Sequence, residues 1–155
     1  MWEQIVSFWK NPIIVACLFS WFSAQFIKTI ISLAYGRIHS ILELIEYLLW
    51  RTGGLPSSHS ALVTCLCTML GFKNGINSDV FIISFGFLLV TVRDALGVRR
   101  SNGLQAKKLN EIGKSLDEKG IVEYHSIKEV NGHTPMEVLL GCLLGFFIGL
   151  AFSLL

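Results

Sequence analysis

Apolar residues gather into four long runs, and three short polar motifs stand where those runs begin or end. The first run, from Pro12 to about Tyr35, opens on a proline suited to the first turn of a helix. The second begins at Ser57 or Ser58 and ends near Gly71, short for a full crossing. The third covers roughly Val80 to Val98, and the fourth Pro135 to Leu155. Runs of this length and apolarity predict membrane-spanning helices. Two shorter segments, Met1–Lys10 with Trp2, Phe8 and Trp9, and Ile38–Trp50 with Glu43 and Glu46, predict interfacial helices. The expected fold is therefore all-α: a polytopic membrane bundle of about four transmembrane helices with interfacial pieces.

Composition agrees. The 155 residues are 52% hydrophobic and 15% charged, with mean hydropathy +0.59, which points to one integral membrane domain over residues 1–155. The formal net charge of +2 says little about partners, and no nucleic-acid partner is expected. No cleavable leader is expected either, since the first apolar run has no basic start or small-residue cleavage site. Cys17, Cys65, Cys67 and Cys142 lie within apolar runs without metal-ligand spacing. Cys65 and Cys67 point about 200° apart on a helix, so they do not chelate together. All four read as packing residues.

Charge orients the bundle. The 99–131 segment carries Arg99, Arg100, Lys107, Lys108, Lys114, Lys119 and Lys128, whereas the second and third runs are joined by a segment holding only Lys73. The positive-inside rule places 99–131 in the cytoplasm as a loop, with a short helix near Leu104–Lys114. Four crossings then put the Arg37–Arg51 connection on the same side and both termini outside. All three motifs meet at that cytoplasmic rim: Gly53–Ser60, Asp94–Arg100 and Gly132–Glu137.

Ionisable groups at membrane depth cost several kcal/mol unless they face protein or water, so each is a candidate for function. In the first run Gln25, Lys28 and Ser32 share a face; Lys28 is either a phosphate ligand at the rim or a lysine snorkelling to the interface. In the fourth run Glu137, Gly141, Gly145, Gly149 and Ser153 recur every fourth residue, a close-packing seam that turns Glu137 inward. Thr134, Pro135 and Glu137 also fit a capping box. Ser57 or Ser58 caps the second run, whose first turn favours an anion beside His59. Asp94 wants a cationic or histidine partner, and Arg99 and Arg100 suit bidentate phosphate binding. His39 and His125 read as surface residues.

Together these motifs resemble a divergent branch of the type 2 phosphatidic acid phosphatase superfamily, related to acid phosphatases and vanadium haloperoxidases. The resemblance rests on Ala24-Gln25 with Lys28, Gly53–Ala61, Asp94–Arg100 with Gly103, Gln105-Ala106 and Asn110, and Gly132–Val138 with Gly141 and Gly145. It implies a phosphatase of a bacterial cell membrane that hydrolyses a lipid phosphate monoester or pyrophosphate through a phosphohistidine and needs no metal or cofactor. His133 is implied as nucleophile held by Glu137, His59 as proton donor, and Lys28 as phosphate ligand. Asp94 joins the catalytic set, and Ser57, Ser58, Arg99 and Arg100 the phosphate-binding set. The substrate would be a phospholipid or prenyl phosphate among membrane lipids. The chain departs from the superfamily pattern at Tyr35 and Gly36, where an Arg-Pro pair is usual, and before His133, where only Lys128 stands in place of a Ser-Arg pair. Two competing readings are a metal-dependent phosphotransferase using Asp94 and Glu137, and a non-catalytic lipid-binding or transport protein.

Overall fold

The computed structural model describes residues 1–49, 54–127, 129 and 132–155. Gly53, Arg51, Trp50 and Lys128, on which parts of the sequence reading fall, lie outside the described residues. Among the described residues seven helices run in the order α1 (Trp2–Trp9), α2 (Pro12–Ala34), α3 (Ile41–Leu49), α4 (Ser58–Asn74), α5 (Asp79–Leu96), α6 (Val98–Asp117) and α7 (Pro135–Leu154).

Local chemistry sets the helix starts. Asn11 caps α2, its Oδ1 accepting from Ile13 N–H at 3.0 Å, with Pro12 at the first position. Ser57 caps α4, Ser78 caps α5, and Thr134 with Glu137 forms a capping box on α7. Among the described residues three stretches are long and apolar enough to cross a membrane: Pro12–Ala34, Asp79–Asp117 through its apolar part, and Pro135–Leu154. The 17-residue α4 is shorter, as its sequence implies, and packs against α2, α5 and α7 as the centre of the bundle. Large apolar side chains on the outer faces, such as Phe26, Ile30, Ile83, Val90 and Phe147, are exposed, as expected of a surface wetted by lipid tails. The chain is an integral membrane protein built as an all-helical bundle.

The α4–α7 seam is where backbones come closest. A Cβ at Gly141 would collide with the Ser57 carbonyl oxygen, and one at Gly145 with that of Ala61. At Gly149 it would meet Thr68 Cβ at 2.9 Å and Cys65 O at 3.0 Å. Lipid offers no hydrophobic drive between helices, so such contact relies on dispersion and polar links. Ser57 N–H donates to Glu137 O at 2.9 Å at one end of this seam, and Ser153 Oγ–H lies 3.1 Å from Met69 Sδ at the other. Where α2 meets this seam, Cys17 and Cys65 pack with Ala16 and Met69 in a buried cluster against which Ile148 and Phe152 of α7 also lie; all four cysteines are free.

Two expectations change. The polar stretch after Asp94 is no extended loop around a short helix: α6 runs for 20 residues and starts at Val98. It is separated from α5 by Gly97, so the Asp94–Arg100 motif straddles two helices.

Candidate functional site

The rim is built outward from two helix starts. Before α4, Gly54 takes φ +88°, a left-handed conformation that glycine adopts without strain. Its missing side chain also makes room for a neighbour: a Cβ there would lie 3.4 Å from Lys28 Cγ and 3.6 Å from Cδ. The Lys28 stem is laid along this turn and the residue is 2% exposed. The membrane-depth lysine is thus enclosed in the bundle at the rim and does not snorkel outward. One turn deeper on α2, Gln25 is also buried, and its Oε1 has no partner among the described residues. A buried acceptor in that condition favours water or a polar ligand at hand.

At the head of α4, Ser57 accepts from Ser60 N–H at 3.4 Å and from Ser60 Oγ–H at 3.0 Å. Ser57 and Ser58 are both buried, and the Ser57 hydroxyl is committed to capping. His59 stands exposed in the first turn, within reach of charge on Arg99, His133, Lys28 and Asp94.

The second start belongs to α7. His133 is 5% exposed, and its Nδ1 lies 3.0 Å from Glu137 Oε2. The same oxygen accepts Thr134 N–H at 3.1 Å, while Glu137 N–H donates to Thr134 Oγ1 at 3.4 Å. Glu137 therefore serves both as capping-box carboxylate and as the group that orients His133. With Nδ1–H donated to the carboxylate, the lone pair sits on Nε2; this tautomer is assigned from the hydrogen bonding. Burial is the main influence on the imidazole and lowers its pKa below the usual value. The Glu137 hydrogen bond and charge work against that shift, and the charges of Lys28 and Arg99 reinforce it. His133 is thus a neutral imidazole at pH 7 with one nitrogen held and one bearing its lone pair.

Arg99, in the first turn of α6, is held by Asp94 in the last turn of α5, Nε to Oδ2 at 2.6 Å. Both side chains are partly exposed, so the pair adds little stability; its effect is to fix the guanidinium near the histidines. Asp94 reaches the rim as the partner of Arg99, and no bond joins it to a histidine. Arg100 is exposed, and its backbone lies against Gly132, where a Cβ would strike it. The structure thus gathers His59, His133, Glu137, Lys28, Asp94 and Arg99, with Ser57 and Ser58 buried at the head of α4. Among the described residues no group of three or more His, Cys, Asp or Glu side chains is placed to share a metal ion.

Sequence reasoning gave no role to Asn110. It is 6% exposed on α6 and bonded to Tyr124, Ile127 and Glu129 of the segment leading to His133. A polar residue in a polar helix carries no local signal of such a role; its only mark was a place in the family resemblance.

The family described as divergent PAP2 matches the chain over residues 9–148. The chain is also 36% identical over 141 residues to an uncharacterized membrane protein, YuiD, of Bacillus subtilis, which covers 84% of this chain and 86% of the relative. No solved structure matches it.

Proposed function

The chain belongs to the divergent PAP2 family, and we propose that it is a metal-independent phosphatase acting on a lipid phosphate monoester or pyrophosphate. The observation that carries this reading is His133, buried, neutral and oriented through Nδ1 by Glu137 at 3.0 Å, with cationic Lys28 and Arg99 close by. Buried pairing of this kind is what histidine needs to attack phosphorus.

In the first step His133 Nε2 attacks, and a P–N bond forms as the P–O bond to the leaving alkoxide breaks. His59 gives its proton to that oxygen. In the second step His59 takes a proton from water as the water oxygen attacks phosphorus; the P–N bond breaks and phosphate leaves. Lys28 and Arg99 offset charge on the phosphoryl oxygens, aided by the N–H groups at the head of α4. Arg99, tethered by Asp94, supplies the second cation that the departures at Tyr35 and Gly36 remove. The basic bias of 99–131 supports a rim facing the cytoplasm.

The test uses two substrates. His133→Ala is expected to abolish phosphoenzyme formation from a labelled lipid phosphate. His59→Ala is expected to slow an alkyl phosphate by about 10²–10⁴-fold, yet spare an aryl phosphate whose leaving group departs unprotonated. Full turnover by His133→Ala would reduce Gly132–Glu137 to a helix cap and overturn the reading.

A further inference from the structure

The segment that delivers His133 to the rim is fastened along α6 at three points. The Tyr124 ring lies on Gly113, where a Cβ would collide with it. Asn110 comes next, with every hydrogen-bonding position of its amide in use. Its Oδ1 accepts Tyr124 Oη–H at 2.6 Å and Ile127 N–H at 3.0 Å. Its Nδ2 donates to Ile127 O at 3.0 Å and to Glu129 Oε1 at 2.7 Å. The third point is Gly132, set against the backbone of Arg99 and Arg100.

The chain is long enough to reach. Gly113 and Arg100 stand thirteen positions apart, about 20 Å along a helix. Tyr124 and Gly132 are eight positions apart, at most about 29 Å of extended chain. The returning chain runs back towards the start of α6, and the register of its described residues on that helix decides where His133 arrives. Two backbone bonds to Ile127 set that register, and both are made by Asn110.

We infer that Asn110 is a positioning residue for His133: it fixes the returning segment on α6 so that the imidazole meets Glu137 and the Lys28–Arg99 charges. This rests on the reading of His133 as the nucleophile, although the placement itself does not. Asn110 lies on the far part of α6 from Arg99 and acts through the segment it holds.

Two readouts separate the ideas. The first is the rate at which diethyl pyrocarbonate modifies each histidine of the full chain in detergent, mapped by mass spectrometry. Buried His133 should react slowly, with exposed His39 as the fast reference. In Asn110→Ala the His133 rate should rise towards that of His39, and Tyr124→Phe, which removes one hydroxyl, should raise it less. The milder variant keeps the test valid where Asn110→Ala fails to fold.

The second readout is turnover of a lipid phosphate. Asn110→Asp sets a carboxylate against that of Glu129 and should lower kcat, by up to about 10²-fold for a misplaced nucleophile, with KM unchanged. Adding Glu129→Gln restores a donor facing position 110, and the double variant should recover much of kcat. A His133 modification rate unchanged in both Asn110→Ala and Tyr124→Phe would overturn the inference. So would an Asn110→Asp/Glu129→Gln variant no better than Asn110→Asp. A parent protein inert towards every phosphate, with the modification rates still rising, would sink the phosphatase reading and leave the placement standing.

Discussion

Replacing Gly145 by alanine is a demanding test of the bundle, because the added atom is small and its surroundings are rigid. The new Cβ would collide with the Ala61 carbonyl oxygen, which belongs to the backbone of α4 and cannot swing aside. Relief requires α4 and α7 to part along the seam, at an overpacking cost of about 1–3 kcal/mol. Against this stands the better helix propensity of alanine, worth about 1 kcal/mol over glycine. The net expectation is a loss of up to about 2 kcal/mol, with Gly145→Leu losing more. Gly86 on α5 is the control: nothing lies within 4 Å of a Cβ there, so Gly86→Ala should be neutral or stabilising by up to about 1 kcal/mol. Gly149→Ala, meeting atoms at 2.9 and 3.0 Å of which the nearer is a side chain, should fall between. Unfolding in mixed micelles on titration with a denaturing detergent, followed by tryptophan fluorescence, ranks the three. Equal midpoints for Gly145→Ala and Gly86→Ala would refute the seam, and with it the argument that Glu137 is turned inward by the same face.

Single cysteines at positions 73 and 115, in a background without the native cysteines, should react with an impermeant maleimide from opposite sides of the membrane; labelling from one side would overturn the orientation. Because burial lowers the pKa of His133, its contribution to stability is complete above pH about 6.5 and is lost as pH falls through the lowered folded value. The acid limb of kcat/KM should accordingly lie below pH 6.5. Glu137→Gln, which removes a charge that favours the imidazolium, should move that limb further down, and an upward movement would contradict the assigned pairing.

Much of the architecture could be read before any coordinates, for physical reasons that also explain the failures. Pro12 and Pro135, the Thr134–Glu137 spacing and the glycines at 141, 145 and 149 act within a few residues of themselves, so local pattern discloses them. The same holds for His133 and Glu137, four positions apart; for Lys28 the sequence left enclosure and snorkelling open, since the Gly54 turn that its stem lies along is set by the fold. The full extent of α6 escaped because Gly103 and Gly113 weaken its propensity and no apolar run marks it. What steadies the helix comes from residues 14 to 19 positions away, through Asn110. The Asp94–Arg99 pair was half legible: the need for a cation was clear, but its geometry depends on the break at Gly97.

The modest length of α4 has a consequence for access to the rim. Seventeen residues reach about 25 Å, against a hydrocarbon layer of about 30 Å, and the first of those turns is hydroxyl-lined. Tied to α7 through Ser57 and Glu137, α4 cannot slide outward to make up the difference. Because α2, α5 and α7 pack around α4, and α2 and α7 run for 23 and 20 residues, its shortfall makes a recess enclosed by longer helices. On the phosphatase proposal, such a recess at the head of α4 would admit a phosphate headgroup to His59 and His133.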